Sequence, residues 1–288
     1  MARDDVELAS FHDEIFGGVF VRCRYGCVSA PRQSSSIGRR NKIDGDLLGR
    51  DDSLARGWEV RLTPGCGLAL PAFHGESSRC RARGVVSGDL STITGARTVA
   101  DEAGKLGRFD AVIHNADIGY REGRAETEPG VPTVFAVNVL APYILTALIE
   151  RPKRLLYVSS GMHTRCAPAY GRPALDQALL ERLLGLAESK LCDVLLAFAI
   201  ARRWRVKSNA LEPGWVATKM GGPSALDDLH QGCVTQAWLA TSEDKLARST
   251  AGYFYHQRPR ARNPIASDVR TQEELLAECH RISGVPLD

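Results

Sequence analysis

From Trp58 onward the chain alternates short apolar segments with longer segments whose apolar residues repeat at helical spacing. Short apolar runs between turn residues are typical of buried strands, and a repeat of about 3.6 residues is typical of helices. This alternation predicts an α/β domain over residues 58–288, in which helices cover both faces of a doubly wound parallel sheet. The predicted strands lie at 58–62, 83–90, 109–116, 154–160, 206–214 and 252–256, and the predicted helices at 92–107, 134–150, 184–204, 225–241 and 272–282.

Polar residues stand at the ends of these predicted strands. Ligands of parallel α/β sheets bind beside the carboxyl ends of the strands, where the connecting loops meet. The sequence therefore predicts a ligand site at that edge of the sheet. The strand-end residues are Asp89, Asn115, Ser159, Ser160, Pro213 and Gly214.

Residues 1–57 carry few periodic apolar positions. Residues 29–42 are polar, basic and rich in turn formers, as in a loop or a disordered link, although residues 16–25 could make a strand. We predict that residues 1–57 form a poorly ordered N-terminal extension of the α/β domain.

The charge balance and the apolar runs exclude several classes of protein. A net charge of +3, from 37 basic and 34 acidic residues, is too small to indicate nucleic-acid binding. The longest apolar run, at 194–201, is far shorter than the roughly 20 residues of a membrane-spanning helix. Acidic residues near the N-terminus, where a signal peptide needs basic ones, favour a cytoplasmic protein.

The eight cysteines are spread along the chain, and Cys23 and Cys27 are a close pair. A zinc site of the finger type needs a second such pair, although Cys66, His74 and Cys80 could be imagined as further ligands. The cysteines are interpreted as reduced thiols, and no metal site is predicted.

Several stretches of the chain occur in the order of one enzyme family. They are GDL at 88–90, HNAD at 114–117, NVLAPY at 138–143, YVSSGMH at 157–163, SKLCDVLLAFA at 189–199 and PGWVATKM at 213–220. Through them the chain from about Val85 to the C-terminus resembles the short-chain dehydrogenase/reductase family. The resemblance implies a Rossmann-like fold, here with a first βαβ unit that could be incomplete, and an NAD(P)-dependent oxidoreductase.

The resemblance implies roles for residues that follow the first strands. Asp89 corresponds to the acid that contacts the adenine edge of the cofactor, although an acid after a strand could equally cap the next helix. Asn115 and Ala116 match residues that lie beside the cofactor. Asp117 replaces a family glycine at a position where a positive φ is often needed, which aspartate tolerates better than most residues.

Further matches lie in the second half of the domain. Asn138 matches an asparagine that positions a water in the proton relay, or it is a buried polar residue that satisfies helix backbone groups. Ser160 matches the serine that holds the substrate carbonyl. Pro213, Gly214 and Thr218 match the turn that lines the nicotinamide.

Lys190 matches the catalytic lysine of the family. That lysine binds the cofactor ribose and lowers the pKa of a tyrosine that stands one helical turn earlier. Here the tyrosine position is Leu186, which has no proton to give. Loss of a positioned general acid costs a factor of about 10²–10⁴ in rate, so impaired turnover is predicted.

The glycine-rich loop that holds the cofactor pyrophosphate in the family is also altered. The segment TPGCGLAL at 63–70 offers Thr63, Gly65 and Gly67 as a shortened version of this loop. The spacing from Gly67 to Asp89 is tight for a complete βαβ unit.

Two functional hypotheses follow from the resemblance. The first is an NAD(P)(H)-dependent oxidoreductase with impaired turnover of a small-molecule carbonyl or secondary alcohol. The second is a non-catalytic relative that binds a ligand or a homologous subunit, or that is the product of a damaged or misassembled gene. Apolar residues around most of 191–201 predict a homo-oligomer. Three arginines could contact a 2′-phosphate, which would slightly favour NADP, or they could belong to a solvated loop. They are Arg79, Arg81 and Arg83.

Overall fold

The computed structural model describes residues 19–21, 58–63, 84–119, 126–128, 130–166, 185–218 and 220–288. These residues form an eight-stranded sheet, a two-stranded ribbon and the helices that pack on the sheet. The strands of the sheet are β1 (Val19–Val21), β2 (Trp58–Thr63), β3 (Gly84–Gly88), β4 (Ala111–His114), β7 (Arg154–Val158), β8 (Lys207–Leu211), β9 (Tyr253–Tyr255) and β10 (Arg258–Pro259). The ribbon consists of β5 (Glu126–Glu128) and β6 (Val131–Pro132).

The helices lie close to their predicted positions. Thr92, Asp228 and Asp268 cap the starts of the first, fourth and fifth helices by accepting hydrogen bonds from main-chain N–H groups. The second helix begins as Thr133–Phe135, passes through a π-helical turn at Ala136–Leu140 and ends as Ala141–Leu148. The helices are α1 (Ile93–Lys105), α2 (the three segments just given), α3 (Leu186–Arg203), α4 (Leu229–Thr241) and α5 (Val269–Ser283), with short 3-10 helices at Gly161–Arg165 and Pro264–Ser267.

The sheet has the order β10-β9-β8-β7-β4-β1-β2-β3. Strands β4, β7, β8 and β9 are parallel neighbours, which confirms the predicted α/β fold with a mostly parallel sheet. Strands β1 and β2 run the other way, because β1 pairs antiparallel with β4 and β2 pairs antiparallel with β3. On this side the sheet departs from the parallel arrangement that the sequence predicts. Antiparallel neighbours need no crossover helix, which agrees with the tight spacing between β2 and β3.

Helices cover both faces of the sheet. Alternate strand residues point to opposite faces, so Leu155 and Tyr157 of β7 join the core under α1, α2, α3 and α5. Leu156 and Val158 point the other way and join a second core with Trp238 of α4. The two cores show the layers of a doubly wound fold.

Helix α3 is buried on most of its circumference by the chain itself. Residues 192–200 are all buried, and the helix packs on β7 and β8 on one side and on α5 on another. This internal burial accounts for the apolar character of 191–201, so the predicted homo-oligomer remains a prediction.

The predicted N-terminal extension lies outside the described residues except for Val19–Val21, which form β1. This short strand falls within residues 16–25, a stretch whose sequence could make a strand. Among the helices of the described residues, none combines the length and the apolar character needed to cross a membrane.

Candidate functional site

The strand-end polar residues meet at the carboxyl edge of the parallel strands. His114 of β4 pairs with Tyr157 of β7, which pairs in turn with Ala210 of β8, so the three strands end at one level. The Ser159 main-chain N–H extends this pairing with a 2.7 Å hydrogen bond to the Leu211 carbonyl. The segments that begin at Asn115, Ser159 and Glu212 therefore leave the sheet side by side.

The π-helical turn of α2 presents Asn138 to the segment that follows β4. The Asn138 Oδ1 atom accepts a hydrogen bond from the Ile118 N–H at 2.9 Å, and its Nδ2 donates to the Ile118 carbonyl at 3.1 Å. Nδ2 also donates to Ser189 Oγ at 3.1 Å, and Ser189 Oγ donates to the Leu186 carbonyl at 2.9 Å. The Asn138 side chain thus ties the β4 exit to α3. Its amide forms hydrogen bonds with the backbone of a loop residue, Ile118, rather than with helix backbone. Single π-helical turns such as the one that carries Asn138 are frequent at functional sites.

Asn115 and Ala116 are both buried where the chain leaves β4. The Asn115 Nδ2 atom is buried and has no hydrogen-bond partner among the described residues. A buried amide donor without a partner is costly, so this atom is available to donate a hydrogen bond to a ligand at the edge.

Lys190 lies one turn into α3, and its side chain points into the protein. The Nζ atom is 2.9 Å from the Val158 carbonyl, 2.9 Å from Asp117 Oδ2 and 3.2 Å from Asp193 Oδ2. An ammonium group carries three N–H bonds, so these three acceptors saturate it. The structure therefore does not present this ammonium to a ligand at the edge.

Burial controls the protonation of these three groups. Burial raises the pKa of Asp193 to about 7, against the opposing effect of the Lys190 ammonium. Burial likewise raises the pKa of Asp117, whose Oδ1 atom has no partner among the described residues. Burial disfavours the charged form of Lys190, but the two carboxylates outweigh it and raise the pKa of the amine. The lysine is therefore an ammonium at neutral pH.

Leu186 is the first residue of α3 and is buried. It stands one helical turn before Lys190, as predicted from the spacing, and its side chain holds no ionisable group. No phenol stands one turn before the lysine to be polarised by it.

The two serines after β7 have different surroundings. Ser159 is buried and donates to the Lys190 carbonyl at 2.7 Å, which ties β7 to α3. Ser160 is partly exposed and caps the short helix at Gly161–Arg165, where its Oγ accepts from the Met162 N–H at 3.3 Å. Of the two, Ser160 has the hydroxyl that a ligand can reach.

The turn after β8 contains the predicted residues Pro213, Gly214 and Thr218, all partly exposed. Gly214 has a φ of 90°, and a Cβ there would lie 2.6 Å from Asp227 Oδ2, so the turn requires glycine. The same Asp227 oxygen accepts from the Trp215 N–H at 2.5 Å.

The segment continues back across the edge of the sheet. Thr218 Oγ1 accepts from the Gly221 N–H at 3.1 Å. A Cβ built on Gly119 would lie 3.3 Å from the Met220 side chain, so this segment reaches the exit of β4.

Asp89 lies at the exit of β3, but it does not cap α1. Its Oδ1 accepts from the Ser91 N–H at 2.9 Å and from the Ser91 hydroxyl at 2.6 Å. Thr92 is the cap residue, with its Oγ1 accepting from the Gly95 N–H at 3.0 Å. The capping alternative for Asp89 is therefore wrong, because the chain makes a local turn through Ser91 first.

The structure does not bring Thr63 to this edge. β2 ends at Thr63 and is antiparallel to β3, with Leu62 opposite Gly84 and Trp58 opposite Gly88. Thr63 is thus at the far end of the sheet from Asp89. Gly65 and Gly67 lie outside the described residues, as do Arg79, Arg81 and Arg83.

For two residues of the site, Asp117 and Asp193, no function was predicted from the sequence. Asp193 follows Lys190 by three residues, a spacing that places two helix side chains together, and it is the acid of an otherwise apolar run. That spacing is the signal that could have found it. Asp117 replaces a glycine of the family pattern, but its contact with Lys190 could not be predicted from the sequence, because that contact depends on how β4 and α3 pack.

The described residues fit the cofactor implied by the resemblance only in part. The Asn115 donor, which has no partner in the part of the chain that the structure describes, and the Gly214 turn suit a nucleotide at the carboxyl edge. The saturated Lys190 ammonium, the leucine at position 186 and the location of Thr63 do not suit a productive nicotinamide complex. The edge therefore fits a nucleotide ligand better than it fits a complete catalytic centre.

Comparison with known proteins places the chain in a family. No protein-family model matches the chain. The chain is 42% identical to an uncharacterized oxidoreductase of Emericella nidulans over 212 residues, which are 71% of this chain and 80% of the relative. It is 35% identical to the short-chain dehydrogenase chyC of Penicillium rubens, over 72% of this chain and 81% of the relative.

A solved structure supports the fold. A crystal structure of an uncharacterized protein from Mycobacterium paratuberculosis superposes with a TM-score of 0.54 at 20% identity, covering 69% of this chain and 75% of the other. At this identity the likeness bears on the fold alone, and it agrees with the α/β architecture described above. The family follows from the sequence identity to the two relatives above, each matched over at least 80% of its length: the chain belongs to the short-chain dehydrogenase/reductase family.

Proposed function

We propose that the chain is an NAD(P)(H)-dependent oxidoreductase that acts on a carbonyl or a secondary alcohol with impaired turnover. A bound NAD(P)H would supply hydride to the carbonyl carbon. The observation that carries the proposal is the contrast along one edge of the sheet. Ser160 offers an accessible hydroxyl for a carbonyl oxygen, while α3 offers a leucine at position 186 and an ammonium with no free N–H.

The chain's residues would divide the remaining tasks unequally. Asn115 Nδ2, Pro213, Gly214 and Thr218 would hold the ligand, and Ser160 would orient the carbonyl. Proton transfer is the task without a side chain, because Leu186 cannot donate. A proton would then have to come from water, which is consistent with a loss of about 10²–10⁴ in rate.

The non-catalytic relative is the second candidate, and one observation favours it. Lys190 is turned inward and held by two carboxylates, so the residue that binds ribose in the family is occupied elsewhere. A protein of this kind would bind a small ligand at the same edge without converting it.

Titration with NADPH and with NADH, followed by nucleotide fluorescence, separates the two candidates. We expect saturable binding that is tighter for NADPH, together with slow reduction of a reactive diketone. Binding without any turnover would favour the non-catalytic relative. Absence of binding at millimolar nucleotide would overturn the proposal of a cofactor site.

The assembly and location of the protein are also proposals. The balanced charge and the family support a cytoplasmic homo-oligomer with no nucleic-acid or membrane partner. Light scattering at micromolar concentration should give at least twice the mass of the chain, and a monomer would contradict this. Limited proteolysis should first cut within residues 1–57 but outside β1, which is paired on both sides in the sheet.

A further inference from the structure

The surroundings of Lys190 combine acceptors from three parts of the fold. Val158 ends β7, Asp117 follows β4, and Asp193 lies one turn further along α3. The side chains of Lys190, Asp117 and Asp193 are 4%, 13% and 4% exposed. Each N–H of the ammonium has an acceptor inside the protein, so water and ligands do not compete for it.

We propose that Asp117 and Asp193 are positioning residues that hold the Lys190 ammonium inside the protein and away from a nucleotide ribose at the carboxyl edge. The inference rests on the proposed function, because it concerns the lysine of that same site. It adds a second cause of impaired turnover, independent of Leu186.

The contacts show why the carboxylates and not the carbonyl decide the position of the lysine. The Val158 carbonyl is one neutral acceptor, and a buried ammonium with a single neutral partner would be strongly disfavoured. Two carboxylates at 2.9 and 3.2 Å supply opposite charge in a site with little water. Moving the ammonium out to a ribose would break both ion pairs and leave two carboxylates buried without a cation.

The sequence supports the same role for Asp117. This residue stands where the family stretch resembled by HNAD has a glycine, and a glycine has no side chain to reach the lysine. The aspartate adds an acceptor at 2.9 Å that the family pattern does not provide. The departure in the motif and the inward lysine therefore have one explanation.

Chemical labelling of amines tests the proposal without any nucleotide. The protein is treated with a water-soluble acetylating reagent, and the rates at Lys190 and at Lys153, whose side chain is 70% exposed, are compared by peptide mass spectrometry. In the parent, Lys190 should label far more slowly than Lys153. In Asp117→Asn/Asp193→Asn the ratio should rise at least about tenfold, because loss of the two charges lowers the amine pKa and loosens the contacts.

A matched control and two single variants keep the test decisive. Glu278→Gln removes a carboxylate that is 7% exposed and paired with Arg281 on α5, and it should leave the ratio unchanged. If the double variant unfolds, all lysines label together, and Asp117→Asn and Asp193→Asn are read singly, each with an intermediate rise. An unchanged ratio in a folded double or single variant would overturn the proposal.

NADPH titration of the same proteins separates this inference from the proposed function. A released Lys190 should tighten NADPH binding about tenfold, the factor typical of one hydrogen bond to a charged group. If labelling rises but no protein binds NADPH, the two aspartates hold the lysine and the proposed cofactor site is wrong. If labelling rises and NADPH binds with unchanged affinity, Lys190 does not reach the ribose and the inference fails.

Discussion

Asp193→Asn should change how the free energy of unfolding depends on pH. In the folded protein burial raises the pKa of Asp193 from its ordinary value of 3.8 to about 7. In the unfolded chain this carboxyl titrates near its ordinary value. Between about pH 4 and pH 7 the folded state therefore holds a proton that the unfolded state has released. The contribution of Asp193 to stability is highest at the acidic end and falls as the pH rises toward 7.

The size of the effect follows from the shift in pKa. About three pKa units at about 1.4 kcal/mol each give a ceiling of about 4 kcal/mol. Between pH 5 and pH 7 the parent should lose about 2 kcal/mol of stability relative to Asp193→Asn, because the folded group is already half ionised at pH 7. Asp117, whose pKa is also raised by burial, gives the parent and the variant a slope of the same sign and so cancels in their difference, while Lys190 stays protonated throughout and adds no slope. The nearby Tyr157 phenol has a pKa raised by burial and stays neutral in this range.

Other buried groups contribute equally to parent and variant. Burial lowers the pKa of His114 to about 3, so folding keeps this imidazole neutral and stability is lost as the pH falls below 6.5. His163 acts in the same sense, because burial lowers its pKa too. These opposing slopes can hide the Asp193 effect in the parent alone. The difference between parent and variant isolates it.

Urea denaturation followed by circular dichroism at pH 5, 6, 7 and 8 measures this difference. Glu278→Gln, which removes another buried carboxyl with a cationic partner, serves as the control for loss of a carboxylate elsewhere. A parent-minus-variant difference that stays constant from pH 5 to pH 8 would refute the reasoning, because it would mean that Asp193 titrates alike in both states.

Three further predictions concern the same edge of the sheet. Leu186→Tyr, combined with Asp117→Asn/Asp193→Asn, should raise the rate of NADPH-dependent reduction of a diketone by at least about tenfold. In the parent background the gain should be smaller, because all three N–H bonds of Lys190 already have acceptors. Equal gains in the two backgrounds would contradict this. Asn138→Ala should cost about 2–4 kcal/mol of unfolding free energy, since it leaves the Ile118 N–H and carbonyl without their Asn138 partners. Thr98→Ala, on the exposed face of α1, should cost almost nothing. Gly214→Ala should destabilise the protein by about 1–3 kcal/mol, because Gly214 has a positive φ and a Cβ there would contact Asp227. Gly104→Ala should stabilise the protein by up to about 1 kcal/mol, because a Cβ at Gly104 would meet open space. Thermal melts compare the two glycine variants, and equal melting temperatures would count against the strain at Gly214.

Local patterns in the sequence were sufficient for most elements of the fold. The apolar runs predicted β4, β7, β8 and β9 within a few residues, because buried parallel strands read as continuous apolar segments. The edge strand β3 was predicted from its apolar residues as well. The direction of β2 could not be predicted, since an alternating segment such as 58–62 has the same pattern in either direction. The π-helical turn at Asn138 was also missed, because one extra residue in a turn leaves no periodic signal. At the site, the spacing from Leu186 to Lys190 was readable, but the inward orientation of Lys190 depends on Asp117, which is distant in sequence.

The direction of β2 also limits how this chain could be re-engineered. A loop emerges at the end where its strand finishes, and β2 finishes beside the start of β3. Extra glycines placed after Thr63 would therefore begin their path at the wrong side of the sheet, whatever their number. To give the chain a nucleotide loop of the family type, the antiparallel pairings of β2 with β3 and of β1 with β4 would have to be exchanged for parallel ones. Under the proposed function, the obstacle to rapid turnover is thus one of strand topology as well as of side chains.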